Sequence, residues 1–177
     1  NKSISYKILR KITFTNNPAG IIALYNFRDK KKLDLNKDNW IYLDQISDPG
    51  NLGTIFRSAA WFNFKNIALS ENCVDPYNPK TVRSSMGAIF NLSIYTKIEL
   101  QQFPKSYIKI GGGVKGKNIN NYNFPKKFIL TIGSETKGIS KENLSEIDQM
   151  INIKKLGNGE SLNAAIAASI IMYKISN

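Results

Sequence analysis

The sequence predicts an α/β fold, and two patterns predict it. Short apolar runs rich in Ile, Leu, Phe and Tyr recur along the chain, with helix-like segments between several of them. Three of these runs end in turns rich in Gly, Asn or Pro that lead into helical sequence, the edge at which open α/β sheets hold ligands.

In chain order, the first strand is expected over Ile21–Phe27, followed by a loop carrying the Lys30–Lys32 run with Asp34 and Asp38. Trp40–Leu43 reads as the second strand and Leu52–Phe62 as a helix that begins near Asn51 or Leu52, after a Pro/Gly turn. Strands are next expected at Asn66–Leu69 and Leu92–Tyr95, with a helix over Pro79–Met86 between them. Tyr107–Ile110, Phe128–Ile132 and Met150–Ile153 complete the strands. The last helix, Ser161–Ile175, has Ser161 as its expected N-cap. It is apolar on nearly every side, so it should be largely buried, partly against another subunit.

Composition narrows the chemistry. At 177 residues the chain has about the length of one domain, with 42% hydrophobic and 21% charged residues. It contains no histidine and one cysteine, Cys73, which excludes a Ser-His-Asp triad, a Cys-His dyad and a Cys/His zinc site. No metal is expected. A single cysteine allows no disulfide within the chain, and a reducing, cytoplasmic setting is the expectation. The longest apolar run, Ala164–Tyr173, falls short of the roughly 20 residues of a membrane span, so no membrane partner is expected.

Charge is the outlier, with 25 basic against 13 acidic side chains and a net +12. The excess lies in two stretches: residues 1–39 hold nine basic and three acidic side chains, and residues 100–134 hold six basic and no acidic ones. Such stretches are either solvated surface or a footprint for a polyanion, with nucleic acid the expected partner.

Three segments could carry chemistry. Asp48–Ala60 places Asn51 at a strand edge and Arg57 inside an otherwise apolar helix. Ile132–Ser140 sets Glu135 between Gly133 and Gly138. Ile153–Asn163 is a strand end, a Gly/Asn turn and a helix start, with a polar amide, Asn163, entering an Ala/Ile/Leu helix. A fourth segment, Gly111–Lys117, matches a phosphate-binding loop as far as its lysine. However, Asn118 stands where a hydroxyl should hold magnesium and no helix is expected after it, so it reads as a strand end that tolerates a close neighbour.

Taken together, the three segments resemble the SpoU/TrmH family of the SPOUT superfamily, RNA ribose 2'-O-methyltransferases. The family pattern Asp-Pro-x-Asn-x-Gly-x-x-x-Arg-x-Ala is matched by Asp48–Ala59, Gly-x-Glu-x-x-Gly-Leu-Ser by Gly133–Ser140, and Ile-Pro-Met-x-Gly-x-x-x-Ser-Leu-Asn by Ile153–Asn163. Arg83–Ala88 also resembles a family segment. Lys154 and Lys155 replace the Pro-Met, Ser58 a common threonine and Ala165 a frequent serine.

The resemblance covers residue 18 to the end and implies a SPOUT-type α/β knot: a mostly parallel sheet, helices on both faces and a C-terminal deep trefoil knot. Residues 18–177 would be the catalytic domain, and residues 1–17 an N-terminal segment, the linker from an RNA-binding domain. It further implies a homodimer and S-adenosylmethionine as cofactor, held by Gly133, Ile153, Leu162, Ile132 and Gly138. The catalytic positions would be Arg57, Asn51, Glu135, Ser161 and Asn163, with Arg57, Lys80, Arg83, Lys115 and Lys117 contacting RNA. The expected target is a guanosine or other nucleotide of ribosomal RNA, and the alternatives are a tRNA ribose methyltransferase or an inactive RNA-binding protein on the same fold. Since a guanidinium with a pKa above about 12 is a poor base, Arg57 is read as binding phosphate and stabilising a developing alkoxide.

Overall fold

The computed structural model describes residues 3–13, 15, 17–23 and 33–177. It divides into two units, residues 1–31 and 32–177. In the first, helix α1 (Tyr6–Ile12) is capped by Ser5, whose hydroxyl accepts from the Ile8 N–H. Of the strand expected over Ile21–Phe27, residues 21–23 have no regular structure, and 24–27 lie outside the described residues, as does the Lys30–Lys32 run.

The second unit is built on seven strands: β1 (Asn39–Asp44), β2 (Asn66–Leu69), β3 (Ser93–Tyr95), β4 (Ile108–Gly113), β5 (Lys117–Asn118), β6 (Phe128–Gly133) and β7 (Gln149–Asn152). All pair in parallel, in the order β3-β2-β1-β6-β4-β7-β5. The central strands β1 and β6 are almost wholly buried, which is why they read as unbroken apolar runs. Only β5 was not expected, because two residues of Lys-Asn carry no strand signal.

Five helices are described: α1, α2 (Pro49–Trp61), α3 (Pro79–Ser84), α4 (Lys141–Leu144) and α5 (Ala164–Ser176). On one face of the sheet, α2 and α5 enclose Leu43, Leu52, Phe56, Leu130, Ala168 and Met172. A serine pair, Ser58 and Ser169, joins the two helices at 2.7 Å. On the other face Trp40, Tyr42, Tyr95, Phe103 and Tyr107 form an aromatic cluster. There α4 approaches, with Asn143 Nδ2 lying 3.5 Å from the Tyr42 hydroxyl.

Two helix starts differ from expectation for the same reason, the position of the capping side chain. Helix α2 begins at Pro49 rather than near Asn51, because Asp48 caps it by accepting from the Asn51 N–H at 2.7 Å and proline suits the first helical position. Helix α5 begins at Ala164, and its N-cap is Asn163 rather than Ser161. The Asn163 Oδ1 accepts from the N–H groups of Ala165 (2.9 Å) and Ile166 (3.3 Å). Within one chain Ile166, Ile170 and Tyr173 of α5 stay exposed as a stripe, the part of the helix for which burial against another subunit is expected.

Glycine allows two close approaches that position the site. A Cβ on Gly53 would lie 2.6 Å from the Thr81 carbonyl oxygen, so only glycine lets α3 lie this close to α2. In β4, a Cβ on Gly111 would meet the Met150 sulfur at 2.5 Å, the close neighbour expected for this glycine run. Beyond Lys117 the chain finishes β5 and makes a single 3-10 turn, Ile119–Asn121, in place of the helix a phosphate-binding loop would need.

Candidate functional site

Strands β1, β6, β4 and β7 end side by side, with Asp44 paired to Gly133 and Gly113 to Asn152. The chain therefore leaves the same sheet edge at the start of α2, at residues 134–140 and at residues 153–163. The three segments singled out in the sequence meet here.

Three side chains link them. Asn51 Nδ2 donates to Glu135 Oε1, and Asn163 Nδ2 donates to Asn51 Oδ1 at 3.0 Å. Each residue is also tied to its own segment. The Asn51 N–H is held by Asp48, whose other carboxylate oxygen lies 3.3 Å from Lys80 Nζ. Asn163 caps α5. The Asn51 amide thus acts as donor and acceptor at once, which fixes its orientation. The Asn51 N–H bond, followed by Lys80, holds the Asp48 carboxyl below the usual carboxylate range.

The loop bearing Glu135 closes tightly on its strand. The Ser134 N–H donates to the Gly138 carbonyl at 3.1 Å and the Gly138 N–H to the Ser134 carbonyl at 2.9 Å. A Cβ on Gly133 would fall 2.1 Å from the Gly138 carbonyl carbon, so position 133 accepts only glycine. Gly138 itself has φ +68°, a left-handed conformation that glycine adopts without strain. Asp44, buried at the end of β1, anchors the far side of the loop by accepting from the Ser140 N–H at 2.7 Å. Asp44 was not singled out in the sequence, where the only signal is an acid closing an apolar strand.

The remaining candidates stand apart. Ser161 is exposed and outside the Glu135–Asn51–Asn163 chain of bonds. Arg57 is exposed on α2, beyond Asn51, and lines a separate hollow with Trp61 and Met86. Arg83 and Lys80 are exposed on α3, and Lys80 is committed to Asp48. Lys115 and Lys117 are exposed beyond β4, with Lys117 Nζ 5.7 Å from the Tyr122 ring centroid. One lysine of the basic 100–134 stretch is not surface charge at all: Lys109 is buried and paired with Glu146 at 2.5 Å.

The residues expected to hold a cofactor surround the same strand ends. Ile132 and Gly133 close β6 and are buried, Ile153 comes directly after β7, and Leu162 is exposed ahead of α5. Nothing would lie within 4 Å of a Cβ on Gly138, Gly157 or Gly159, so the rim is open, and Leu156 and Leu162 expose apolar surface on it. Backbone polar groups at strand ends beside apolar side chains fit a ligand with a flat aromatic base and a polar tail, as S-adenosylmethionine has. Among the described residues no cluster of three or more metal-ligating side chains occurs, and no helix is long and apolar enough to cross a membrane.

Comparison with known proteins gives matches over most of the chain. The profile of the SpoU rRNA Methylase family matches residues 38–173. A Bacillus subtilis 23S rRNA (guanosine(2553)-2'-O)-methyltransferase is 27% identical over 169 residues, covering 93% of this chain and 67% of its own length. A TrmH-family protein structure from Porphyromonas gingivalis superposes with a TM-score of 0.86 at 27% identity, over 98% of this chain and 71% of that one. The SpoU methyltransferase AviRb from Streptomyces viridochromogenes, solved in complex with AdoMet, gives a TM-score of 0.71 at 29% identity, over 77% of this chain and 58% of that one. Three further curated relatives are spanned over 65%, 50% and 30% of their lengths.

Proposed function

Because the chain belongs to the SpoU rRNA Methylase family, we propose that it transfers a methyl group from S-adenosylmethionine to a ribose 2'-hydroxyl of RNA, with ribosomal RNA the target class. The observation that carries this reading is the Glu135–Asn51–Asn163 chain of bonds, which unites all three segments at one sheet edge. The 23S rRNA methyltransferase activity of the Bacillus relative supports the choice of RNA.

When bound, the cofactor supplies a methyl group already activated as a sulfonium, so the protein's task is orientation and charge stabilisation. Ile132, Gly133, Gly138, Ile153 and Leu162 would hold the cofactor. Asn51 and Asn163 present fixed amides, and Glu135 holds the Asn51 side chain in place. Arg57 binds backbone phosphate and stabilises negative charge developing on the ribose oxygen. Ser161, free of the amide chain, would reach the ribose or the cofactor directly. Arg83, Lys115 and Lys117 supply attraction to RNA on the two sides of the site, whereas Lys80 contributes less because Asp48 offsets it.

The homodimer belongs to the same reading, and the exposed Ile166, Ile170 and Tyr173 stripe of α5 supports it. The strand order, with β4 between β6 and β7, suits a chain that threads back on itself, as the expected trefoil knot requires. A linker role for residues 1–17, with 18–177 as the catalytic domain, and a cytoplasmic setting complete the proposal.

The test is to incubate the protein with methyl-labelled S-adenosylmethionine and ribosomal RNA from cells lacking it, then map the label. Label on a single ribose 2'-oxygen is expected. Label on a base or on protein, or none on RNA, would overturn the reading.

A further inference from the structure

Between the end of β1 and the loop after β6 lies a contact that the proposed chemistry does not use. Asp44, the last residue of β1, is 1% exposed. Its Oδ2 accepts from the Ser140 N–H at 2.7 Å, and its Oδ1, also buried, has no hydrogen-bond partner among the described residues. We propose that Asp44 is a positioning residue for S-adenosylmethionine: through that one bond it holds residues 134–140 in the form that takes the cofactor, an inference that rests on the function proposed above.

The loop is gripped on two sides. Tyr42 and Asp44, two residues apart on β1, share the face of the sheet that carries the aromatic cluster. Three contacts pin the chain after Gly138 to that face. Ile139 Cδ1 lies 2.9 Å from where a Cβ on Gly111 would stand, so it occupies space that the glycine leaves. The Ser140 N–H meets Asp44, and Asn143 Nδ2 lies 3.5 Å from the Tyr42 hydroxyl. The other arm of the loop is tied toward α2, where Glu135 accepts from Asn51 Nδ2. Asp44 ends β1 and Asn51 sits in the first turn of α2, so one short connection holds both arms. Between the two grips Gly138 is exposed, with nothing within 4 Å of a Cβ placed on it. The loop is fixed from behind and open in front, at a residue assigned to the cofactor.

The two grips differ in what they should control. Asn51 belongs to the polar chain at which methyl transfer is proposed, whereas Asp44 stands outside it. Losing Asp44 should therefore act on cofactor affinity and spare the rate once cofactor is bound. A buried carboxyl with an unpartnered oxygen costs stability, so stability alone does not account for it. The unpartnered oxygen also makes the Ser140 bond the side chain's only hydrogen bond, so the coupling runs through one N–H that can be deleted by itself.

Cofactor affinity is measured by calorimetry, and turnover at saturating cofactor by methylation of ribosomal RNA. Asp44→Ala should raise the Kd for S-adenosylmethionine about tenfold, with kcat within about twofold of the parent. Asp44→Asn, whose amide oxygen still accepts from Ser140, should restore most of the affinity. Ser140 has φ −60°, which suits proline, so Ser140→Pro deletes the N–H with little backbone strain, and Ser140→Ala deletes only the hydroxyl that caps α4. Ser140→Pro should match Asp44→Ala and add nothing to it in the double variant, while Ser140→Ala stays near the parent. An unchanged Kd in Asp44→Ala, a loss confined to kcat, an Asp44→Asn variant as weak as the alanine, or equal losses in Ser140→Pro and Ser140→Ala would each overturn the proposal. If Asp44→Ala does not fold, the two Ser140 variants decide it. A parent that binds no S-adenosylmethionine sinks the proposed function itself; a parent that binds and methylates while Asp44→Ala keeps full affinity sinks only the role of Asp44.

Discussion

The two ends of helix α2 are built in opposite ways. At its start, Asp48, Asn51, Glu135 and Asn163 are tied to one another, and every polar group named there has a partner in the protein. Toward its end, Arg57 and Trp61 are exposed around an open hollow. A bonded network fixes geometry before substrate arrives and costs no reordering during reaction. An open cationic and aromatic surface gains its partners only from what binds there. On the proposed function, one helix would carry a preorganised half and a receptive half, and substitutions should separate them.

The largest expected effect is on turnover. Arg57→Ala and Asn51→Ala should each lower the methyl-transfer rate by about 10²–10³-fold, with S-adenosylmethionine affinity measured by calorimetry changed little. Normal turnover in either variant would erase the distinction between the two ends. Gly133→Ala comes next. With no room for a Cβ against Gly138, the Glu135 loop must shift, which should cost about 1–3 kcal/mol in thermal unfolding and weaken cofactor binding as well.

Removing the α2 cap with Asp48→Ala should cost about 1 kcal/mol of stability, whereas Asp48→Asn, an equally good cap, should cost little at neutral pH. The Asp48 carboxyl titrates below its unfolded value in the folded protein. Its stabilising contribution is therefore complete above about pH 3.9 and lost as pH falls through the folded value, so Asp48→Asn should flatten the acid side of the stability profile. The smallest effect is at the outlying cations. Lys115→Gln with Lys117→Gln should weaken RNA binding several-fold and reduce the salt slope by about 0.7 per lysine, while Lys80→Gln should do less because Asp48 already neutralises it. Binding titrations at several salt concentrations would distinguish them.

Most strands of the second unit were legible because buried parallel strands need continuous apolar sequence, as in Phe128–Ile132. β5 was not, since Lys117 and Asn118 pair only because β7 presents a free edge. The helix caps were misread for a related reason. Ser161 and Asn163 are both competent caps, and the choice falls on Asn163 because α5 begins at Ala164 and Asn163 is held in place by Asn51, a residue 112 positions away. The count of basic residues likewise overstated the charged surface, because Lys109 is buried in the fold and pairs there with a half-buried Glu146.

By itself, the sequence determined the fold class, the three segments that meet at the candidate site, and the exclusion of histidine and Cys/His zinc chemistry. These depend on residue type and spacing along the chain, which local sequence records. Only the tertiary structure decided that Asn51, Glu135 and Asn163 bond to one another, that Ser161 and Arg57 do not join them, and that Asp44 anchors the Glu135 loop. Those outcomes depend on the register of β1 with β6 and on the return of α5 to α2, which bring together groups separated by 84 to 112 residues at distances that no local pattern encodes.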